Sequence, residues 1–581
     1  MKSHSRFWIW AAPIAGCAIL MSTMLFAQMA GQPPGQAASQ PQSEEYLLLG
    51  SPNRGAGEPF VYSNPKDRDN IIVAAMATMH RLPSGEAPLA GGGFGGARGG
   101  PPGAAPGAPG GARGGARGGA PGAAPGEAAV TAQTTLSERT LLRVKELSVP
   151  DGSRTDIAIT RDGGKTWQIS EDNFRKFFNM NRCSDSFAGA GPDGTLYVGC
   201  LAYLYRGDKA FADGFNVTNG EARSPGGGSA IAWSKDKGKT WSNPVWVHPV
   251  NSPKLYPPNV HPVQEQVAPL DRPYFAADAQ TNTIYVSGSG AVYTVDPATV
   301  QRPKVDPSLP GKGYPGYPPP SVSRNRAFIR ASHDQGKTWG VIYPMDSDDY
   351  PGGGGSFGAA FGNLAVVYNA TKVPDSVGAQ CPCTIFETSR DDGKTFDRKI
   401  VPAPPASPDA AAAGGRGGAG GGRGGGPGGG RASLGADSSK QNRYVIMRQS
   451  GRTATVSVTE DGGKTWSTPV VATTLPEGAS FGQSAFKVGP NGYMAMMWKQ
   501  QYQDGTYDVW TWGSRDGGKT FKTLRMSHAV SPPRIRERGN FMMGDDLSSI
   551  EVDDQYVHAV WGDNRSGFQG TWYGRIPISA Y

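Results

Sequence analysis

The strongest constraint on this chain is an eight-residue phrase written six times. It reads TRDGGKTW at 160–167, SKDKGKTW at 234–241, SHDQGKTW at 332–339, SRDDGKTF at 389–396, TEDGGKTW at 459–466 and SRDGGKTF at 514–521. A phrase that returns at intervals of tens of residues marks a chain built from copies of one supersecondary unit. Runs of β character flank each copy, such as TDIAIT before the first and TWSTPVVAT around the end of the fifth. A polar, glycine-bearing turn between two such runs is a hairpin. The aspartate of each copy (Asp162, Asp236, Asp334, Asp391, Asp461, Asp516) is placed to accept N–H bonds within its own turn. The glycine two residues on can take a positive φ. The closing Trp or Phe can bury a large ring between neighbouring sheets. Because each carboxylate is occupied by its own turn, the six are read as structural rather than as calcium ligands or catalytic acids.

The pattern Ser/Thr-x-Asp-x-Gly-Lys-Thr-Trp/Phe resembles the Asp-box (BNR) repeat of the sialidase superfamily, from about Glu58 to the C-terminus. The resemblance implies a β-propeller. It also implies a glycan-directed site with three Arg for a substrate carboxylate, a Tyr–Glu nucleophile pair and an Asp acid/base. The family carries an Arg-Ile-Pro motif near its N-terminal end, whose Arg belongs to the triad. The Arg-Ile-Pro of this chain is Arg575-Ile576-Pro577, at the opposite end, so the triad role is not carried onto Arg575. A propeller hosts many functions, and sialic-acid hydrolysis does not follow from the repeat.

Each unit reads as strand, turn, strand, loop, strand, repeat turn, strand. Four-stranded units repeated radially make a propeller. The expected fold is therefore an all-β propeller spanning 58–581, with seven blades and six as the alternative. The last unit, LSSIEVDDQYVHAVWGDNRSGFQGTWYGRIPI at 547–578, is blade-like but lacks the repeat turn. A blade needs roughly 40–50 residues, and the chain between repeats often exceeds this. The excess falls at 81–153, 206–228, 289–325 and 371–383, and at 248–270, 402–432 and 527–540. All of these are connections that share one face of a propeller. The repeat turns and the other short turns share the opposite face. Sites concentrate on loops held by a rigid scaffold, so any site is expected on the loop-rich face.

The innermost strand of each blade enters from that face. Residues at its start surround the mouth of the central channel: Glu58, Arg182 and Asp185, Asp271 and Arg272, and Arg538, Asp545 and Asp546. Arg forks pair bidentately with carboxylates, so Arg182, Arg272 and Arg538 are candidates for holding an anionic sugar. Paired carboxylates serve as acid and base in glycoside hydrolysis, which makes Asp185, Asp271, Asp545 and Asp546 the catalytic candidates. The competing expectation is that these groups pair with one another and seal the mouth. A hydrolase and a non-catalytic glycan- or protein-binding propeller both fit. The second would use an aromatic surface drawn from Tyr203, Tyr205, Tyr256, Tyr314, Tyr317 and Tyr502.

The N-terminus has Lys2 and Arg6 before an apolar run from Phe7 to Ala30, an export signal over 1–30 followed by a flexible leader at 31–57. A retained anchor helix and a lipoprotein box around Cys17 are the alternatives, so membrane contact is expected only if this segment is retained. Of the 84 glycines, many lie in two Gly/Arg-rich tracts at about 81–135 and 403–432, which cannot bury enough apolar surface to fold. Their few arginines and scarce aromatics argue against nucleic-acid binding. The net charge of +8 is partly the Lys of the six turns. No His-Glu-x-x-His occurs, and the His residues lack ligand spacing, so no cofactor or metal is expected. Cys183 and Cys200 flank a hairpin and can meet across it, whereas Cys381-Pro-Cys383 reads either as a disulfide or as two thiols.

Overall fold

A computed structural model of the chain describes residues 43–51, 54–79, 154–170, 182–203, 228–249, 271–294, 322–352, 354–402, 432–533 and 547–581. Residues 1–42, where an export signal is expected, both Gly/Arg-rich tracts and several long connections lie outside these residues. The first strand, β1 (Glu44–Leu49), is set apart from its successors. Blade one is β2 (Arg54–Asn64), β3 (Asp67–Met79), β4 (Arg154–Thr160) and β5 (Gln168–Ser170). Blade two is β6 (Arg182–Ala190), β7 (Leu196–Tyr203), β8 (Gly228–Ser234) and β9 (Val245–Pro249). Blade three is β10 (Asp271–Ala277), β11 (Ile284–Thr294), β12 (Val322–Ser332) and β13 (Tyr343–Pro344). Blade four is β14 (Ser356–Ala360), β15 (Asn363–Ala370), β16 (Cys383–Ser389) and β17 (Asp397–Val401). Blade five is β18 (Ala432–Ala436), β19 (Tyr444–Ser450), β20 (Thr453–Thr459) and β21 (Val470–Thr474). Blade six is β22 (Ser480–Val488), β23 (Met494–Gln501), β24 (Tyr507–Ser514) and β25 (Lys522–Arg525). Blade seven is β26 (Ser548–Val552), β27 (Tyr556–Asp563), β28 (Gly570–Pro577) and, outermost, β1.

All seven sheets are antiparallel, and their innermost strands contact one another in cyclic order, so the blades close a ring. The seventh blade explains two features at once. It has no repeat turn because its third and fourth strands are not consecutive: β1 pairs with β28, with Glu44 opposite Arg575. The expected leader at 31–57 is corrected here, since 44–49 forms this closing strand and β2 begins at Arg54 rather than Glu58. Leader composition hides a strand whose partner lies more than 500 residues away. Two loop expectations also shift. β11 and β12 continue to Thr294 and from Val322, so the 289–325 insertion shortens. The 371–383 loop carries a 3-10 turn at Asp375–Val377 and a disulfide between Cys381 and Cys383.

The six repeat turns share one bonding pattern. The leading Ser or Thr hydroxyl donates to Oδ1 of the Asp, at 2.8 Å for Asp162, Asp236, Asp391 and Asp461 and 2.9 Å for Asp334 and Asp516. The same hydroxyl accepts the N–H of the Gly four residues on. The Thr before the aromatic gives its N–H to Oδ1 and its hydroxyl to Oδ2. For Asp162, the hydroxyl and amide of Thr166 hold the carboxyl down to about 2. Partial burial works the other way at Asp236, yet its bonds still bring it to about 2. Both residues after the Asp are left-handed: Lys237 and Gly238 have φ of 61° and 80°, Gln335 and Gly336 65° and 87°. Only the second of the two is always Gly, so the sequence pattern marks the left-handed conformation at that position alone.

The residue between Asp and Gly is where neighbouring blades meet. Arg161 Nε of blade one donates to Lys237 O at 2.9 Å. Lys235 of blade two donates to Gln335 Oε1 at 2.7 Å, and His333 of blade three sits 2.8 Å from Asp392 Oδ2. Lys399 reaches Gly462 O at 3.1 Å, and Arg443 reaches Gly517 O at 3.0 Å. Arg575 closes the ring onto Gly163 O. Every repeat turn is thus clasped by the preceding blade at one position. At the junction of blades six and seven, which has no such turn, Lys522 bonds Ala580 O, and the Tyr581 hydroxyl lies 2.6 Å from Thr511 Oγ1. Beneath the clasps the blades pack through large buried rings, among them Trp246, Trp498, Trp512 and Trp561. Trp466 meets Phe386 of the preceding blade edge-on at 5.2 Å, and each fully buried side chain of this kind contributes about 2–3 kcal/mol.

Ser234 is 1% exposed, donates to Asp236 and accepts from Gly238 at 2.8 Å each. Ser234→Ala strands a buried N–H and is expected to cost about 1–3 kcal/mol in denaturant unfolding. Ser234→Thr, the residue found at 160 and 459, is expected to be close to neutral. Equal stability of the Ala variant would show that the hydroxyl does not hold the turn.

Candidate functional site

The innermost strands carry a shared irregularity at their loop-face ends. In β2, Gly57 pairs with Met76 and Phe60 with Ala74, leaving Glu58 and Pro59 opposite Ala75 alone. In β6, Asp185 and Ser186 face Cys200 alone, and in β10, Arg272 and Pro273 face Gly288 alone. In β22, Gly482 and Gln483 face Lys499. Each is a one-residue bulge, a device that re-aims side chains beside sites. Proline fits here because the bulge leaves a ladder position without need of a donor. The first bulge residue of three consecutive blades is charged and left-handed: Glu58 at φ 49°, Asp185 at 47° and Arg272 at 52°. Each such residue carries about 1–2 kcal/mol of strain. The innermost strands of blades four and five pair regularly, without bulges.

This geometry places the sequence candidates as follows. Arg272 lines the central channel, Asp185 is half-buried and Glu58 is 6% exposed. The backbone of Asp271 lies directly before the Arg272 bulge, opposite Ser289, and that of Arg182 lies three residues before Asp185, opposite Tyr203. The side chains of Arg182 and Asp271 lie outside the described residues, as do Arg538, Asp545 and Asp546 altogether. The Cys183–Cys200 disulfide, S–S 1.94 Å, crosses β6 and β7 beside the Asp185 bulge. Closing a loop of this length constrains the unfolded chain by about 3 kcal/mol. Behind Glu58, Arg54 forks onto both oxygens of Asp156 at 2.5 and 2.7 Å. The bulges were legible in part: Glu58-Pro-Phe, Asp185-Ser-Phe and Arg272-Pro-Tyr share a charge, a strand-breaking or small residue and an aromatic.

Below the mouth the channel has a volume of about 1190 Å³ and is lined by residues of all seven blades. It passes down to the turn-bearing face, where Asn64, Asn491 and Asp554 lie on its rim. Of the aromatic candidates, Tyr502 is committed, donating to Asp508 at 3.0 Å and accepting from Gln500 at 2.9 Å. Tyr205, Tyr256, Tyr314 and Tyr317 lie outside the described residues, and Tyr203 only its backbone within them. Arg575 serves the ring seam: it bonds Glu44 at 2.7 Å and Gly163 O, and its guanidinium lies 4.6 Å over Tyr556. Among the described residues no group of three or more His, Cys, Asp or Glu is arranged to hold a metal ion.

A second charged cluster escaped the sequence reading. Glu387 of β16 lies between blades three and four with a fully buried side chain, 2.7 Å from Arg398 of β17. Arg398 keeps 23% of its surface exposed and stacks over Phe396 and Tyr350 at 5.4 and 5.6 Å. Burial outweighs the guanidinium's attraction and pushes the Glu387 carboxyl up to about 8. Tyr368 beside it is also pushed upward, by burial and by the carboxylate. Both side chains are buried, and Tyr368 is also one of the residues that border the channel. In sequence, Glu387 is one charge within an alternating strand, and only the neighbouring blade buries it.

No family model and no curated protein matches the sequence. Several solved structures resemble it. A protein of unknown function from Dyadobacter fermentans is 12% identical, covering 93% of this chain and 100% of its own, with a TM-score of 0.41. A leech intramolecular trans-sialidase is 14% identical over 74% of both chains, with a TM-score of 0.38. The intramolecular trans-sialidase of Ruminococcus gnavus is 13% identical over 68% of this chain and 94% of its own, with a TM-score of 0.35. Likeness of this degree speaks neither to activity nor to site residues. The class of protein defined here is an all-β propeller, a ring of seven four-stranded antiparallel blades.

Two outcomes are expected. Asp185→Gly relieves about 1–2 kcal/mol of left-handed strain against about 0.5–1 kcal/mol of added unfolded entropy, so the variant should gain up to about 1.5 kcal/mol in denaturant unfolding. Asp185→Ala should gain nothing, and equal behaviour of the two would remove strain from the account. Glu387 binds a proton more tightly folded than unfolded, so its contribution to stability is complete below about 4.5 and lost as pH rises through about 8. Unfolding free energy should fall across that window by up to about 1.4 kcal/mol per pH unit, with a shallower fall in Glu387→Gln.

Proposed function

We propose that the chain is an exported, Asp-box propeller of sialidase type that acts on glycans at the channel mouth of its loop-rich face, as an exo-acting glycoside hydrolase. The observation that carries this reading is the row of strained, charged bulge residues at Glu58, Asp185 and Arg272. Strain in a folded protein persists only where surrounding structure enforces it, and it concentrates at sites. Two carboxylates and a guanidinium brought to one level by adjacent blades supply the groups that glycoside chemistry needs. Arg272 would hold an anionic or hydroxyl group of the terminal sugar. Asp185 or Glu58 would protonate the leaving oxygen while another carboxylate, with Asp271, Asp545 and Asp546 as further candidates, assists water or attacks the anomeric carbon. Arg182 and Arg538 are further candidates for the substrate anion. Export follows from the N-terminal charge and apolar run, with periplasmic or secreted residence.

A second reading, a non-catalytic glycan- or protein-binding propeller using the same face, is favoured by one observation. Arg575, the only Arg of an Arg-Ile-Pro motif, is spent on the ring seam. The test is hydrolysis of a fluorogenic glycoside panel, sialosides included, by the purified full chain. The hydrolase reading expects turnover that falls at least about a hundredfold in Asp185→Asn, the usual scale for losing an acid or base. Absence of turnover on every glycoside, with retained binding on a glycan array, would replace it with the binding reading.

A further inference from the structure

The end of the channel remote from the mouth has one polar wall and one small-residue wall. Four consecutive innermost strands end in Gly-Ala or Ala-Ala: 189–190, 276–277, 359–360 and 435–436. At Gly189 even a Cβ would overlap the Phe275 ring, at 2.4 Å. The blades that complete the ring place long groups at this level. Lys487 of β22 lies 3.1 Å from Glu551 of β26, and its Nζ sits 4.8 Å over the ring of Tyr62 of β2. Tyr62 in turn donates past blade two to Phe275 O at 2.9 Å. Lys487, Glu551, Tyr62, Phe275 and Ala436 all line the channel. Lys487 keeps 34% of its side-chain surface open although surrounded by protein, whereas Glu551 keeps 10%.

We infer that this end of the channel is a second binding site, distinct from the mouth, for a neutral, hydroxyl-rich ring of monosaccharide size. An ammonium and a carboxylate held together present donors and acceptors with no net charge, which suits vicinal hydroxyls better than an anion. Hydrogen bonds to charged groups are the stronger kind. The ring of Tyr62 borders the channel beneath Lys487, and the alanines leave the space. The volume of the whole channel exceeds the usual few hundred to about 1,000 Å³ of a small-molecule pocket, so a single ring at one end fits without blocking the mouth. The inference does not require catalysis at the mouth.

The experiment is titration calorimetry of the purified full chain with glucose, galactose, mannose and N-acetylglucosamine. At least one sugar should bind, and Lys487→Met and Glu551→Gln should each weaken it about tenfold or more, the loss expected for one charge-assisted hydrogen bond. Because either change disturbs a buried ion pair, Ala436→Leu provides a variant that leaves the pair intact and fills the small-residue wall; it should weaken the same sugar. Arg272→Ala separates the two ends. Failure of all four sugars to bind the unmodified chain overturns the inference. So does unchanged affinity in a folded Lys487→Met or Ala436→Leu protein, or loss of the sugar on Arg272→Ala with Lys487→Met binding normally.

Discussion

The structure depends on one small arrangement, an Asp carboxylate that collects its own turn's donors and thereby forces two successive residues into the left-handed region. The second of these is always Gly, but the first is Lys237, Gln335 or Asp392 as readily as Gly. That first residue is the point each preceding blade grips, by Arg161, Lys235, His333, Lys399, Arg443 and Arg575 in turn. The turn therefore does more than reverse the chain. It sets a protruding group at a fixed height in each blade, and a ring of blades can lock through six copies of one contact. At the remaining junction the segment 578–581 fills the role.

Locking one face has a consequence for the other. With the turns clasped, chain length can be added at the opposite connections without disturbing the ring, and the described strands are far apart in sequence only across those connections. The entry to the innermost strands then becomes the place where irregular backbone can be carried. Four of the seven innermost strands are bulged at that entry, and three put a charged side chain in a conformation that Gly would adopt more cheaply.

The channel inherits a polarity from the same architecture. Arg272, one of the strained bulge residues, lines it toward the mouth, and a Lys–Glu pair lines its far end with a row of alanines. These two ends lie on different blades: the bulges of blades one to three at one level, Lys487 and Glu551 of blades six and seven at the other. A cyclic scaffold with seven independent inner strands can therefore carry two chemistries along one axis, since each strand contributes different residues at its two ends.

Much of the fold was legible in the sequence because its determinants are local. The phrase around Asp162 and its five copies fixes the hairpins, their spacing fixes the blades, and the run at 547–578 supplies the seventh. The bulges were half legible, in the charge at Glu58, Asp185 or Arg272 followed by Pro or Ser and an aromatic. What only tertiary structure decided involves groups far apart in the chain. β1 reads as leader until Arg575, on β28, gives it a partner. Glu387 reads as an ordinary strand charge until blade three removes its water and raises its pKa. Lys487, Glu551 and Tyr62 are unremarkable in sequence and meet only because the ring brings blades six, seven and one together. The physical reason is the same in each case: turn geometry is set by residues within a few positions of one another, whereas desolvation and charge pairing depend on whichever blade is packed alongside.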